Sequence, residues 1–234
     1  LNKVLLRRLS GEPLAYIIGY KPFFNHNFIV GYGVLIPRPE TEILVEASLK
    51  AIKAIEINKK KLNIIDIGTG SGAIIISLAK MLKSKKNYSF HAIDNSEIAI
   101  EYCKKNISKM KLNKQINIIN SDLLEKFHDI PDIIIANLPY IPKKNMTTLQ
   151  KEIRLSEPKN ALDGGKNGLE VIEKLILQLS QKINYESYAI ILEIEQNQDK
   201  ELEIILKKYL KSYKTRYTND LQGFKRVITV SNSD

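Results

Sequence analysis

The run "DIIIANLPYIP", residues 132–142, carries the residue types best suited to chemistry. Strand-forming apolar residues end there in Asn137, Leu138, Pro139 and Tyr140 rather than in an ordinary turn. A planar amide or arylamine nitrogen is a poor nucleophile because its lone pair is delocalised. A site that alkylates one should accept hydrogen bonds from both of its N–H groups and hold it in line with the electrophile. Asn137 Oδ1 and the carbonyl of Leu138 supply two acceptors, Pro139 holds residue 138 extended, and the Tyr140 ring can pack on the planar group. A strand followed by a plain proline turn accounts for the same tetrapeptide without chemistry.

A second stretch, "DIGTGSGA" at residues 66–73, lies between a strand and a helix, where an open α/β sheet binds ligands. Gly68 and Gly70 let the backbone approach a ligand closely, and Gly72 lets the following helix pack against the strand. Asp94 closes the next strand, where a carboxylate can accept bonds from both ribose hydroxyls of an adenosine-containing cofactor. Both NAD and S-adenosylmethionine satisfy that pattern, and an ordinary loop with a helix-capping aspartate satisfies it too. Asp66 favours the second cofactor, because a carboxylate there suits a cationic sulfonium or amino-acid group and repels a pyrophosphate. Asp122 and Leu123, just beyond the third strand of the series, are placed to line an adenine pocket.

The remaining reactive residues form no constellation. His26, His91 and His128 match no metal-ligand spacing, so no metal site is expected. Cys103 is the only cysteine, which excludes a disulfide framework and leaves a buried, inert thiol as its reading. The 234 residues suffice for one α/β domain with a short appendage, and no apolar stretch reaches the roughly 20 residues that span a bilayer. The basic N-terminus is interrupted by Glu12, Pro13 and two glycines, unlike a signal-peptide core, so a cytoplasmic protein is expected. The net charge of +10 either marks an acidic partner such as nucleic acid or reflects solvated lysine runs such as "NKKK" and "KSKK", which lack interleaved aromatics.

The elements that must position these residues follow from periodicity. From residue 62, "LNIIDI", "YSFHAID", "INIIN", "PDIIIAN" and "YAIILEI" read as strands apolar on both faces, as in a parallel sheet. "SGAIIISLAKMLK", "SEIAIEYCKKNISKM" and "GLEVIEKLILQLSQKI" carry helical spacing between them, the second capped by Asn95 or Ser96. Their alternation predicts a doubly wound sheet, and "TRYTNDLQGFKRVITV" predicts a closing antiparallel pair. The first sixty residues read as a hairpin or irregular lead-in followed by a helix over "ETEILVEASLKAIKAI", with Pro39 in its first turn. "IPRPETE" is readable as no more than a well-made helix start.

Taken in order, "IPRPETE", "DIGTGSGAI", "NLPYI", "EPKNALDGGKNGL" and "LEIEQNQ" resemble the release factor N5-glutamine methyltransferase (PrmC/HemK) family, from about Glu12 to Ile228. The resemblance implies an α/β, class I S-adenosylmethionine-dependent methyltransferase (Rossmann-like) fold. Its sheet is seven-stranded and mostly parallel with one antiparallel strand, preceded by a short β-hairpin or irregular lead-in. Residues 1–40 are then the lead-in, with the end of an N-terminal helical region, and 41–234 the methyltransferase domain. It implies that S-adenosylmethionine lies against Gly68, Thr69, Gly70, Ser71, Gly72, Asp94, Leu123 and Asn137. It assigns catalysis and binding of a release factor's Gly-Gly-Gln glutamine to Asn137, Leu138, Pro139 and Tyr140.

Three departures bear on this. The family's usual tetrapeptide is Asn-Pro-Pro-Tyr; Leu138 keeps the carbonyl but loses a preset φ and gains an N–H. Glu195 stands where the family usually has glycine. Only the last residues of the family's N-terminal helical bundle are present and Leu1 is not methionine, so the chain is expected to be part of a longer protein. Asn-Leu-Pro-Tyr also occurs in ribosomal RNA adenine dimethyltransferases. The alternatives are therefore adenine-N6 methylation of RNA or DNA, with incidental RNA affinity expected from the basic charge, and a non-catalytic cofactor-binding module.

Overall fold

The computed structural model describes residues 2–57, 59, 61–82, 87–183 and 187–232. The run "KSKK" lies outside these residues and "NKKK" partly so. Two short helices, α1 (Asn2–Leu9) and α2 (Leu14–Ile18), precede a hairpin of β1 (Tyr20–Phe23) and β2 (His26–Ile29). Helix α3 (Thr41–Ile55) then leads into β3 (Lys61–Ile67), α4 (Ala73–Leu82), β4 (Asn87–Asp94), α5 (Glu97–Lys109), β5 (Ile116–Asn120) and β6 (Ile133–Ala136). After a 3-10 turn come α6 (Lys151–Ser156), α7 (Glu170–Ser180), β7 (Ala189–Glu193), α8 (Asp199–Tyr209), β8 (Lys214–Asn219) and β9 (Lys225–Ser231).

β3 to β9 form one seven-stranded sheet in the order β5-β4-β3-β6-β7-β9-β8. β9 alone runs against its neighbours, pairing antiparallel with β7 and β8. The expected sheet, antiparallel closure and hairpin lead-in are all present. The chain winds outward from β3 to β5 and returns to β6 on the other side of β3, so a crevice opens at the carboxyl ends of β3 and β6. Ile67 pairs with Ala136 in that register, so Gly68 and Asn137 leave the sheet side by side.

Alternation within the strands divides the core. Ile64, Ile133 and Ile191 face α3, α4 and α5. Ile65, Ile134 and Ile190 face α7 and α8. Buried on both sides, these strands must be continuously apolar, which is how they read in sequence. Ser96 caps α5 by accepting from the Ala99 N–H at 3.3 Å. Pro39 falls differently from expectation: α3 begins at Thr41, and Pro39 opens a tighter turn in which the Thr41 N–H donates to the Arg38 carbonyl at 3.1 Å. Its missing N–H is still no loss there.

The histidine and cysteine readings have structural counterparts. His91 is buried on β4, edge-on to Phe127 with ring centroids 5.1 Å apart. Cys103 is fully buried on α5, and burial pushes its thiol up to about 12. No described helix is long and apolar enough to cross a membrane.

Candidate active site

Beyond β3 the chain turns through Gly68 and Gly70 with φ of +70° and +55°. This left-handed geometry strains any residue with a Cβ, and a Cβ on Gly68 would also lie 3.1 Å from Leu138 Cδ2. The N–H groups of Gly68 and Thr69 both donate to the Ile93 carbonyl at 2.9 Å, binding the loop to β4. Asp94 braces it from the other side: Oδ2 accepts from the Gly70 N–H and Oδ1 from the Ser96 N–H, each at 2.9 Å. Burial raises the Asp94 pKa and these backbone donors oppose the rise. Each carboxylate oxygen keeps acceptor capacity for a hydroxyl in the crevice.

The loop, Asp94 and the exit of β6 enclose a cavity of about 380 Å³, also lined by Gly33, Val34 and Leu35 of the lead-in. That is within the roughly 300–1,000 Å³ of small-molecule sites. Gly68, Gly70, Asp94, Leu123, Asn137, Leu138 and Pro139 line it. Asp122 lines it too and pairs with Lys174 Nζ at 2.6 Å.

Thr69, Ser71 and Gly72 are not among the lining residues. The Thr69 hydroxyl donates to Asp66 Oδ2 at 2.6 Å, and the Ser71 carbonyl accepts from Asn106 Nδ2 at 2.9 Å. A Cβ on Gly72 would come within 2.9 Å of Cys103 Sγ and Ile76 Cδ1, so this glycine serves the packing of α5 as well as α4. Asp66 is fully buried and is not among the residues that line the cavity.

Tyr140 lies in a neighbouring cavity of about 170 Å³ with Leu35, Arg38 and Ile153. Asn137 and Leu138 line both cavities and form the wall between them. Asn137 Nδ2 donates to Thr41 Oγ1 at 3.1 Å. Among the described residues no donor reaches Asn137 Oδ1 or the Leu138 carbonyl. Two acceptors therefore stand unspent on residues that line both hollows.

A family model described as a methyltransferase domain matches residues 58–215. The release factor glutamine methyltransferase of Buchnera aphidicola subsp. Schizaphis graminum is 38% identical over 229 residues, 94% of this chain and 78% of that protein. That of Bacillus cereus is 32% identical over 225 residues, 95% of this chain and 77% of that protein. The chain belongs to the release factor glutamine methyltransferase family. Among solved structures, the ribosomal protein L11 methylase of Lactobacillus delbrueckii subsp. bulgaricus shares its fold, with a TM-score of 0.59 and 21% identity over 92% of this chain and 91% of that one. The hMettl16 catalytic domain does so with a TM-score of 0.63 and 19% identity over 86% of this chain and 71% of that one.

In this release factor glutamine methyltransferase family member, the residues holding the tetrapeptide went unrecognised in sequence. Thr41 belongs to "IPRPETE", which reads as a helix start, yet its side chain is buried against Asn137. Glu193 ends β7 and is 1% exposed; its Oε1 accepts from the Tyr140 hydroxyl at 3.1 Å. Burial raises the pKa of Glu193, while the Thr41 and Tyr140 hydroxyls and the Arg226 charge lower it. Gln198 Nε2 donates to the Tyr140 carbonyl at 2.9 Å, and its Oε1 accepts from the Glu195 N–H at 2.9 Å. Glu157 accepts from the Ile36 N–H at 3.2 Å and pairs with Arg38, tying "EPKN" to "IPRP". The available signal was a carboxylate ending a wholly apolar strand, an unfavourable place for it without a partner; in the structure Tyr140 partners Oε1, and Oε2 has no partner among the described residues.

Proposed function

We propose that the chain transfers a methyl group from S-adenosylmethionine to the side-chain amide nitrogen of the Gly-Gly-Gln glutamine of a peptide chain release factor. The observation that carries this is the pair of unspent acceptors, Asn137 Oδ1 and the Leu138 carbonyl, between the larger and smaller cavities. The names of the relatives support the same substrate. A release-factor substrate implies action in the cytoplasm.

The larger cavity fits the cofactor: its glycine loop leaves room where a Cβ would intrude, and Asp94 offers carboxylate oxygens to ribose hydroxyls. Bound there, S-adenosylmethionine supplies an electrophilic sulfonium methyl. Asn137 Oδ1 accepts one N–H of the target amide and the Leu138 carbonyl the other, so the nitrogen is held with its lone-pair face toward the larger cavity. Pro139 keeps residue 138 extended, and the Tyr140 ring, anchored through its hydroxyl to Glu193, packs against the planar amide. No base is required before transfer, because the amide nitrogen sheds its proton as it becomes cationic.

The decisive measurement is the mass of a release factor's Gly-Gly-Gln peptide before and after exposure to the protein and S-adenosylmethionine. Gain of one methyl is expected, while label appearing in RNA but not in the peptide overturns the proposal. Asn137→Ala should lower turnover by about a hundredfold or more while leaving cofactor affinity largely intact. Equal losses of rate and affinity would contradict its role as the acceptor.

A further inference from the structure

Asn137 and Leu138 are not alone where the two hollows adjoin. Among the described residues, four line both cavities: Leu35, Asn137, Leu138 and Ala161. They come from three segments, namely the lead-in before α3, the exit of β6 and the 3-10 turn Lys159–Ala161. Apart from Asn137 their side chains are apolar, and hydrocarbon offers water no hydrogen bond. Leu35 falls just outside the stretch "IPRPETE", and the chain holds it firmly. Its neighbours Val34 and Ile36 are 1% and 5% exposed, packed with Tyr16, Val30 and Ala99. Leu35 takes no part in that cluster and is half-buried. The Tyr16 hydroxyl donates to the Val34 carbonyl at 2.5 Å, and the Ile36 N–H donates to Glu157 Oε2 at 3.2 Å. The backbone is therefore pinned on both sides of Leu35, in each case by a buried side chain. Glu157 also ties this segment to the turn carrying Ala161, which follows it directly through Pro158.

We propose that Leu35 is a contact residue of the reaction centre, whose side chain packs on the sulfonium methyl and the target amide together and keeps water off the line between them. Tyr16 and Glu157 are the positioning residues that set it in place. As the amide nitrogen takes the methyl, sulfur keeps the electron pair of the broken S–C bond, and the nitrogen then sheds a proton. Water admitted at that point would occupy Asn137 Oδ1 and the Leu138 carbonyl and hold the amide off line. This inference rests on the reading of the larger cavity as the cofactor site and the smaller as the amide site, and adds what encloses the transferring group.

The first readout needs no turnover. Leu35→Ala removes the side chain beyond Cβ, and its Kd for S-adenosylmethionine should rise about threefold more than its Kd for S-adenosylhomocysteine, which lacks the methyl and the positive charge. Retained binding of S-adenosylhomocysteine shows that the variant is folded. On a Gly-Gly-Gln peptide, kcat of Leu35→Ala should fall about 10- to 100-fold. Leu35→Met, a change of shape at similar volume, should bring both readouts to within about threefold of wild type. Tyr16→Phe keeps the ring and removes one hydroxyl. Its kcat should fall about three- to tenfold, with S-adenosylhomocysteine affinity unchanged.

Equal shifts in the two affinities of Leu35→Ala would overturn the proposal, because the side chain would then not touch the methyl. A Leu35→Met variant as impaired as the alanine one would overturn it too, since hydrocarbon of similar size would not suffice. So would wild-type kcat in Leu35→Ala or in Tyr16→Phe. If the wild type methylates no glutamine peptide but the two affinities still separate in Leu35→Ala, the contact with the methyl stands and the assigned substrate is what fails.

Discussion

At the scale of single residues, Asp66 has a measurable consequence outside catalysis. It is fully buried, with Oδ2 taken by the Thr69 hydroxyl and Oδ1 unpartnered in the structure. Burial pushes its pKa from 3.8 up to about 7, with a smaller push from the Asp94 charge, against the Thr69 hydroxyl and the Ile75 backbone. Between these values the folded chain holds a proton that the unfolded chain has released. The stabilisation is therefore complete below the unfolded value and lost as pH rises through about 7. Asp66→Asn keeps the shape and removes the titration. Thermal denaturation should show the asparagine variant gaining on the wild type from about pH 5 to about pH 8, at no more than about 1.4 kcal/mol per pH unit. An equal difference at both pH values would mean that the carboxyl titrates as an exposed one does.

At the scale of elements, the tetrapeptide is held by a loop that follows it in sequence. The Ile141 N–H donates to the Leu162 carbonyl at 3.0 Å, the Gly164 N–H to the Ile141 carbonyl at 2.9 Å, and the Lys143 N–H to the Gly165 carbonyl at 2.8 Å. Asp163 thus forms a single parallel bridge with Ile141, and the backbone on either side of it is tied to the segment that follows the tetrapeptide. A Cβ on Gly164 would sit 2.6 Å from the carbonyl oxygens of both Pro139 and Gly168. No rotamer relieves a clash with backbone, so Gly164→Ala must displace the segment carrying Asn137 to Tyr140. Stability should fall by about 1–3 kcal/mol, read by chemical denaturation, and peptide turnover by about tenfold or more, with cofactor affinity less affected. Unchanged turnover would mean that the two segments move independently.

At the scale of the whole molecule, part of the charge behind the net +10 lies beside the site. Lys143, Lys144, Lys159 and Lys166 are exposed and line an open groove that shares Asn160, Glu170 and Val171 with the larger cavity. Among the described residues these four lysines have no ion pair, whereas Lys174, Lys208 and Lys225 do. Exposed charges act at a distance that salt shortens. Raising salt from about 50 to about 200 mM should therefore raise the KM for an intact release factor several-fold while changing that for a short Gly-Gly-Gln peptide little. Steady-state kinetics with the two substrates decides it. Identical salt responses would mean that the groove does not meet the substrate protein.

Much of this architecture is local information. A strand buried on both faces must be apolar throughout, a helix laid on it must repeat every three to four residues, and a turn at positive φ favours glycine. Those constraints let the sequence by itself determine the alternating elements, the glycine loop, Asp94 and the position of Asn137 at a strand's carboxyl end. It could not determine that Thr69, Ser71 and Asp66 face inward, because a tight loop turns neighbouring residues in opposite directions. Nor could it reveal Thr41, Glu193 and Gln198 as supports of the tetrapeptide. Their contacts join residues 96, 53 and 58 positions apart. Such contacts exist only because β6 returns beside β3 with β7 next to it and α3 across them. Periodicity records which face of an element is apolar, but strand order decides which polar groups meet at its end, and only the folded sheet contains that order.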